Sequence, residues 1–215
     1  MSQPVSGLYA VTPDLADTDA LTGKVEAALR GGARVVQYRN KSIAASASCA
    51  QAVQIARLCR RSGALFIVND SIETASLSGA DGVHLGRDDA TVAQARAELG
   101  AGKLIGVSCY NDLDRARVAQ SEGADYVAFG SFFASATKPL AVRAELELLR
   151  SAATELAVPI VAIGGIDQNN AAGLIAAGAD AIAVVGALFD SDDIEAQARR
   201  FVRLFQSPTI REKQT

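Results

Sequence analysis

The sequence predicts an α/β protein built as a single (β/α)8 TIM barrel, and three observations lead there. Short Val/Ile-rich runs of strand length recur along the chain, about eight of them. Between them lie segments whose apolar residues fall three and four positions apart, opposite charged ones. A glycine-alanine step closes successive helical segments, at Gly32-Ala33, Gly63-Ala64, Gly79-Ala80, Gly123-Ala124 and Gly178-Ala179. Alternation of strand and helix demands a parallel sheet, and about eight such units in 215 residues favour a closed barrel over a doubly wound sheet.

The elements follow in order. GLYAVT, ARVVQYR, ALFIVND, DGVHLG, KLIGVS, DYVAFGS, PIVAIGG and DAIAVVG are the strands, continuous in apolar character as strands covered on both faces should be. ALTGKVEAALRGG, ASCAQAVQIARLCRRSG, TVAQARAELG, DLDRARVAQSEG, AELELLRSAATELA and QNNAAGLIAAG carry the helical spacing and form the outer layer. Three of the helix exits read Gly-Ala-Asp, which marks the chain as repeats of one βα unit. Glycine at these exits can take the left-handed backbone that ends a helix. No internal linker interrupts the pattern, so residues 1–206 are expected to form one catalytic domain. The polar tail 207–215 is expected to fray.

Composition excludes several classes of function. The chain is 49% hydrophobic and 21% charged, enough apolar material for a large core. Its net charge is −3, its cations are scattered and aromatic residues make up 5%, which argues against nucleic-acid and anionic-membrane partners. Cys49, Cys59 and Cys109 form no C-x-x-C pair, so neither a zinc site nor a disulfide framework is indicated. The N-terminus lacks a basic segment leading into a long apolar run, and no apolar stretch reaches spanning length. A cytoplasmic protein is expected, with homo-oligomerisation left open.

In such barrels ligands bind where strands end and loops begin. After the second strand, Gln37, Arg39 and Lys41 alternate and so share a face at the barrel mouth. Arg39 supplies a planar fork of donors and Lys41 a compact charge, a set suited to a diphosphate, though a solvated strand end would look the same. Asn69-Asp70 closes the third strand, and Gly86-Arg87-Asp88-Asp89 follows the fourth. Magnesium takes one or two protein carboxylates and completes its shell with water and phosphate oxygens. Asp70 and Asp89 are the expected Mg2+ ligands, and Asp88 is expected to cap the next helix or face solvent.

Ser135, Thr137 and Lys138 with Ala136 between them form a candidate oxyanion cradle after the sixth strand. Gly164-Gly165 and Val185-Gly186 end the seventh and eighth strands, where backbone N–H groups commonly meet a phosphate. His84, the single histidine, lies inside a strand and reads as a satisfied wall residue. Cys109 has no base beside it in the sequence and reads as packing.

The ordered set Gln37-Tyr38-Arg39-Asn40-Lys41, Asn69-Asp70, Gly86-Arg87-Asp88-Asp89, Gly106-Val107-Ser108, Ser135-Ala136-Thr137-Lys138, Ile163-Gly164-Gly165-Ile166 and Val185-Gly186 resembles the thiamine phosphate synthase family over nearly the whole chain. The resemblance implies a transferase that couples an aminopyrimidine methyl diphosphate to a thiazole phosphate with Mg2+. Gln37, Tyr38, Arg39, Asn40, Lys41, Asn69, Ser108 and Lys138 would hold the pyrimidine diphosphate, and Asp70 and Asp89 its magnesium. Ser135, Ala136, Thr137, Gly165, Val185 and Gly186 would hold the thiazole phosphate. Arg39, Lys41, Ser108 and Lys138 would act in catalysis. The implied chemistry needs no histidine base and no covalent nucleophile.

Five positions depart from the usual family pattern. Tyr38 replaces an aliphatic residue, Arg87 a glutamine, Ser131 a proline, Ser135 a threonine and Gly186 a serine. Gly186 loses a hydroxyl and keeps its backbone N–H.

Three alternatives compete. A thiazole tautomerase on the same fold would use a histidine soon after the fifth strand, where this chain has Ser108-Cys109-Tyr110-Asn111. A sugar-phosphate epimerase or tryptophan-pathway lyase would need paired acid and base groups at the centre. A non-catalytic thiamine-precursor binding protein would keep the binding residues without turnover.

Overall fold

The computed structural model describes residues 5–134 and 142–206. Among these, eight parallel strands close into one barrel in sequence order, each hydrogen-bonded to the next and the eighth to the first. They are β1 (Gly7–Val11), β2 (Val35–Tyr38), β3 (Leu65–Asn69), β4 (Gly82–Leu85), β5 (Leu104–Tyr110), β6 (Tyr126–Phe129), β7 (Ile160–Ile163) and β8 (Ala181–Val184). The outer layer comprises α1 (Thr18–Arg30), α2 (Ala45–Ser62), α3 (Ile72–Ser78), α4 (Val92–Leu99), α5 (Leu113–Ser121), α6 (Leu146–Glu155), α7 (Ala171–Ala176), α8 (Gly186–Phe189) and α9 (Ile194–Leu204). α3, α8 and α9 lie outside the six segments quoted for their helical spacing; the first two are short. The predicted fold class holds, and the tail 207–215 lies outside the described residues.

Strand alternation sorts the core into two shells. Leu8, Val36, Phe66, Val83, Ile105, Val127, Ala162 and Ile182 point outward into the layer beneath the helices. Tyr9, Val11, Val35, Ile67, Leu104, Tyr126, Ala128, Val161, Ala181 and Ala183 fill the barrel interior. Both shells are buried, so each strand had to be apolar on both faces, which is why the strands read as continuous runs.

The Gly-Ala-Asp repeat has a structural job at the end of the barrel away from the strand C-termini. The carboxylates of Asp81, Asp125 and Asp180 accept from the backbone N–H of Phe66, Ile105 and Ile160, each at 2.8 Å. The N–H groups of the same three aspartates donate back to the carbonyls of the same three residues. Each aspartate thereby ties the strand it opens to the strand before. Gly63 and Gly79, at φ 66° and 68°, end α2 and α3 in the left-handed region and turn the chain into the next strand.

Helix starts follow the usual chemistry. Asp17, Ser71, Asp112 and Asp193 cap their helices with side-chain oxygens. Thr91 caps α4 in a reciprocal box with Gln94. Of the two roles expected for Asp88, the structure gives the solvent-facing one: the cap, Thr91, stands three residues later, and Asp88 is exposed in the loop. Among the described residues no helix is long and apolar enough to cross a membrane.

Candidate active site

All eight strands deliver residues to one cavity of about 1340 Å³ at their C-terminal ends. Gln37, Arg39, Lys41, Asn69, Asp70, Asp89, Ser108, Gly165, Val185 and Gly186 line it together. Tyr38 and Asn40, expected to contact substrate, are turned away. Alternation sends the Tyr38 side chain outward, where its hydroxyl donates to Gln51 Oε1 at 2.9 Å beneath α2. Asn40 Nδ2 donates to the Leu15 carbonyl at 2.8 Å and Asn40 Oδ1 accepts from the Ser42 N–H at 3.1 Å, so Asn40 pins the β2 loop. Ser135, Ala136, Thr137 and Lys138 lie outside the described residues.

Cations at the mouth are paired with carboxylates. Thr12 Oγ1 accepts from Arg39 N at 2.9 Å and donates to Arg39 O at 2.8 Å, fixing the end of β2 against β1. Arg39 Nη1 reaches both oxygens of Asp14, at 3.1 and 3.0 Å, and the Lys41 N–H donates to the same carboxylate at 2.8 Å. Asp14 thus organises both cations, a role the sequence did not suggest. Lys41 Nζ pairs with Asp70 Oδ2 at 3.3 Å.

Asp70 sits at φ 64°, in a left-handed conformation that aspartate tolerates better than most residues. Its N–H donates to the His84 carbonyl at 2.8 Å, which anchors this turn to β4. Burial and the adjoining Asp89 carboxylate push the Asp70 carboxyl above its ordinary range, against an opposing pull from Lys41. Asp89 Oδ2 accepts from the Gly86 N–H at 2.6 Å, which holds it at the rim. Two carboxylates in contact repel, and a hard divalent cation between them relieves that repulsion. Among the described residues no group of three or more His, Cys, Asp and Glu side chains is arranged for a metal. A two-carboxylate set suits magnesium, which draws its remaining oxygens from water and phosphate.

β5 carries a register shift between Ser108 and Tyr110. Tyr110 takes φ 55°, and its ring lies under the Arg87 guanidinium at 4.8 Å and near that of Arg115 at 5.8 Å. Arg115 Nε also donates to the Ser108 carbonyl at 2.8 Å. Cys109 is fully buried, and burial pushes its thiol up to about 12, in keeping with the expected packing role. His84 is a bonded wall residue, as expected: Nε2 meets Ser108 Oγ at 2.9 Å and Nδ1 meets the Tyr126 hydroxyl at 3.1 Å. It also lines the cavity.

The glycine pair after β7 carries the loop after β6. At Gly164 (φ 105°) a Cβ would stand 2.1 Å from Ser131 Oγ, and at Gly165 (φ 63°) 2.3 Å from the Ala134 carbonyl oxygen. Phe132 and Phe133 donate their N–H groups to the carbonyls of Ile163 and Gly164 at 3.3 and 3.0 Å. At Gly186 a Cβ would stand 2.8 Å from Asp190 Oδ2, so the Asp190 carboxylate borders the space that a serine side chain would enter.

The thiamine monophosphate synthase family matches this chain over residues 8–188. A thiamine-phosphate synthase of Thiobacillus denitrificans is 55% identical over 199 residues, covering 93% of this chain and 94% of that protein. One from Methylobacillus flagellatus is 55% identical over 202 residues, covering 94% and 96%. Among solved structures, a thiamine phosphate pyrophosphorylase from Pyrococcus furiosus matches with a TM-score of 0.83 at 32% identity, over 93% of this chain and 95% of that one.

Proposed function

This chain belongs to the thiamine monophosphate synthase family, and on that premise we propose how its barrel mouth carries out the coupling. The chain is a thiamine-phosphate-forming transferase. Its substrates are a phosphorylated pyrimidine and a phosphorylated thiazole. The C–O bond between the pyrimidine methylene and its diphosphate breaks, and the electron pair leaves on the diphosphate oxygen. The aminopyrimidine ring stabilises the methylene cation, and the thiazole nitrogen closes the new C–N bond with its own lone pair.

One observation carries this reading: Arg39, Lys41, Asp70 and Asp89 converge on a single cavity wall, with both cations held in place by carboxylates. Arg39 and Lys41 receive the diphosphate as it departs, with Asp14 holding the Arg39 guanidinium and the Lys41 backbone in place. Asp70 and Asp89 would hold a magnesium ion, which supplies neutralisation of charge on the diphosphate oxygens. Gln37, Asn69 and Ser108 hold the aminopyrimidine. Gly165, Val185 and Gly186 present backbone N–H groups to the thiazole phosphate. Lys138 and the Ser135–Thr137 cradle join the site in the family pattern. A cytoplasmic location with unpaired cysteines is part of the same reading.

Incubating the purified chain with both phosphorylated precursors and Mg2+ tests the proposal. Thiamine phosphate and diphosphate are expected in equal amounts. Isomerised thiazole phosphate without coupling would favour the tautomerase instead.

A further inference from the structure

A chain of hydrogen bonds crosses the barrel interior from Gln37 to Ser108 through three residues that the coupling reaction does not otherwise use. Gln37 Nε2 donates to the Tyr9 hydroxyl at 2.8 Å, and the Tyr9 and Tyr126 hydroxyls lie 2.9 Å apart. Tyr126 Oη lies 3.1 Å from His84 Nδ1, and His84 Nε2 lies 2.9 Å from Ser108 Oγ. Tyr9 and Tyr126 are 1% and 0% exposed, Gln37 and His84 5% and 7%. The barrel is shaped to allow this crossing. Gly106 stands between His84 and Tyr126 in the strand register, and a Cβ there would meet Tyr126 Cζ at 2.0 Å. The Tyr126 ring lies in the space left by that missing side chain and reaches His84 beyond it, centroid to centroid 5.6 Å.

Donor arithmetic gives the chain one direction. A phenol has a single proton. With Gln37 Nε2 facing Tyr9, Tyr9 accepts from Gln37 and its own proton goes to Tyr126, because a Tyr126 donor would then leave the buried Tyr9 proton without an acceptor; the opposite direction requires the Gln37 amide to be turned over. Tyr126 then donates to His84 Nδ1. The ring proton sits on Nε2 and is given to Ser108 Oγ, and the Ser108 proton is left to point at ligand. At the other end, Gln37 Oε1 is left as the acceptor. Burial pushes the tyrosine hydroxyls well above their ordinary range, so both stay protonated donors.

We propose that Tyr9, Tyr126 and His84 are positioning residues whose one-way hydrogen-bond chain fixes Gln37 as an acceptor and Ser108 as a donor, and thereby selects an amino-bearing pyrimidine over its oxo counterpart. The proposal rests on the reading that Gln37 and Ser108 hold the aminopyrimidine. An exocyclic amine gives Gln37 Oε1 a proton. An oxo group in its place meets an acceptor with an acceptor, and turning the amide to correct this would require reversing every donor along the chain from Tyr9 to Ser108. In Tyr126→Phe the Tyr9 hydroxyl loses its acceptor and is released to donate to Gln37 Oε1. The amide then turns its NH2 toward the ligand.

Two measurements test this. His84 is the only histidine, so 15N-histidine labelling reads a single ring. The expected spectrum is that of a neutral imidazole protonated on Nε2 with Nδ1 as acceptor. An Nδ1-protonated ring would overturn the direction of the chain. Second, kcat/KM is compared for the amino pyrimidine diphosphate and its oxo analogue in wild type, Tyr126→Phe and Tyr9→Phe. The amino-over-oxo preference is expected to fall on the order of 10-fold in each variant, the worth of one hydrogen bond at a polar site. A preference unchanged in variants that still couple the amino substrate would overturn the relay while leaving the coupling function intact. Failure of the wild type to couple the amino substrate would instead count against the function itself.

Discussion

Lys41 Nζ stands 3.3 Å from Asp70 Oδ2, on a carboxylate that burial and Asp89 push above its ordinary range. On the proposed function, the cation that would receive a departing diphosphate is paired with one of the two acids that would hold the magnesium. Asp70 carries two burdens in that state, repulsion from Asp89 and a left-handed backbone at φ 64°.

Asp70→Asn is therefore expected to stabilise the metal-free chain while removing most turnover. Asparagine suits the left-handed region at least as well and carries no charge for Asp89 to repel. The lost pair with Lys41 is half exposed and worth little. A rise in Tm of a few degrees is expected, about what 1 kcal/mol gives in a domain of this length. A lower Tm in EDTA would count against it.

Asp180 sets a pH dependence at the closed end of the barrel. Burial raises its carboxyl above the usual 3.8, despite the N–H donated by Ile160. The folded state binds that proton more tightly than the unfolded chain does. Its contribution is fully present below pH 3.8 and is lost as pH rises through the folded value. Asp180→Asn keeps an acceptor oxygen and should gain stability relative to wild type between pH 4 and pH 7. Denaturation midpoints that run parallel across that range would refute the assignment.

Cys109→Ala should leave turnover nearly intact and cost about 1 kcal/mol of stability, the loss of one buried atom's packing. Its thiol, pushed up to about 12, should resist alkylation at pH 8 in the folded chain. Loss of coupling in this variant would revive a thiol mechanism.

Gly165→Ala should displace the loop after β6, because the new Cβ would stand 2.3 Å from the Ala134 carbonyl oxygen in a left-handed backbone. A destabilisation of about 1–3 kcal/mol is expected, with a raised KM for the thiazole phosphate. Crystals of the variant showing an unmoved loop would contradict this account.

Much of this architecture was legible in the sequence because a closed parallel barrel leaves periodic marks. Strands buried on both faces must be apolar throughout, and the Gly-Ala-Asp repeat sits where β4, β6 and β8 are each tied to the strand before. Alternation along β2 sends Gln37 inward and Tyr38 outward as the sequence predicts; Arg39 and Lys41 also line the cavity, but β2 ends at Tyr38 and it is Asp14 that holds them there. At Asp88 the sequence leaves cap and solvent-facing roles open, because a carboxylate near a helix start suits either, and the structure gives the second. Thr91 with Gln94 three residues on was the better signal. What no local pattern could reveal is a contact such as Tyr9 with Tyr126, 117 residues apart and joined only when the barrel closes. Asp14 was hidden for a related reason: its partners are 25 and 27 residues away, on the neighbouring strand's loop.

A magnesium titration of single-turnover coupling in wild type, Asp70→Asn and Asp89→Asn tests the electrostatic account of the barrel mouth most directly. Wild type should be silenced by EDTA, and each variant should need far more Mg2+ to reach a lower maximal rate. Equal rates in EDTA and in magnesium, or titration curves that coincide for all three proteins, would contradict it.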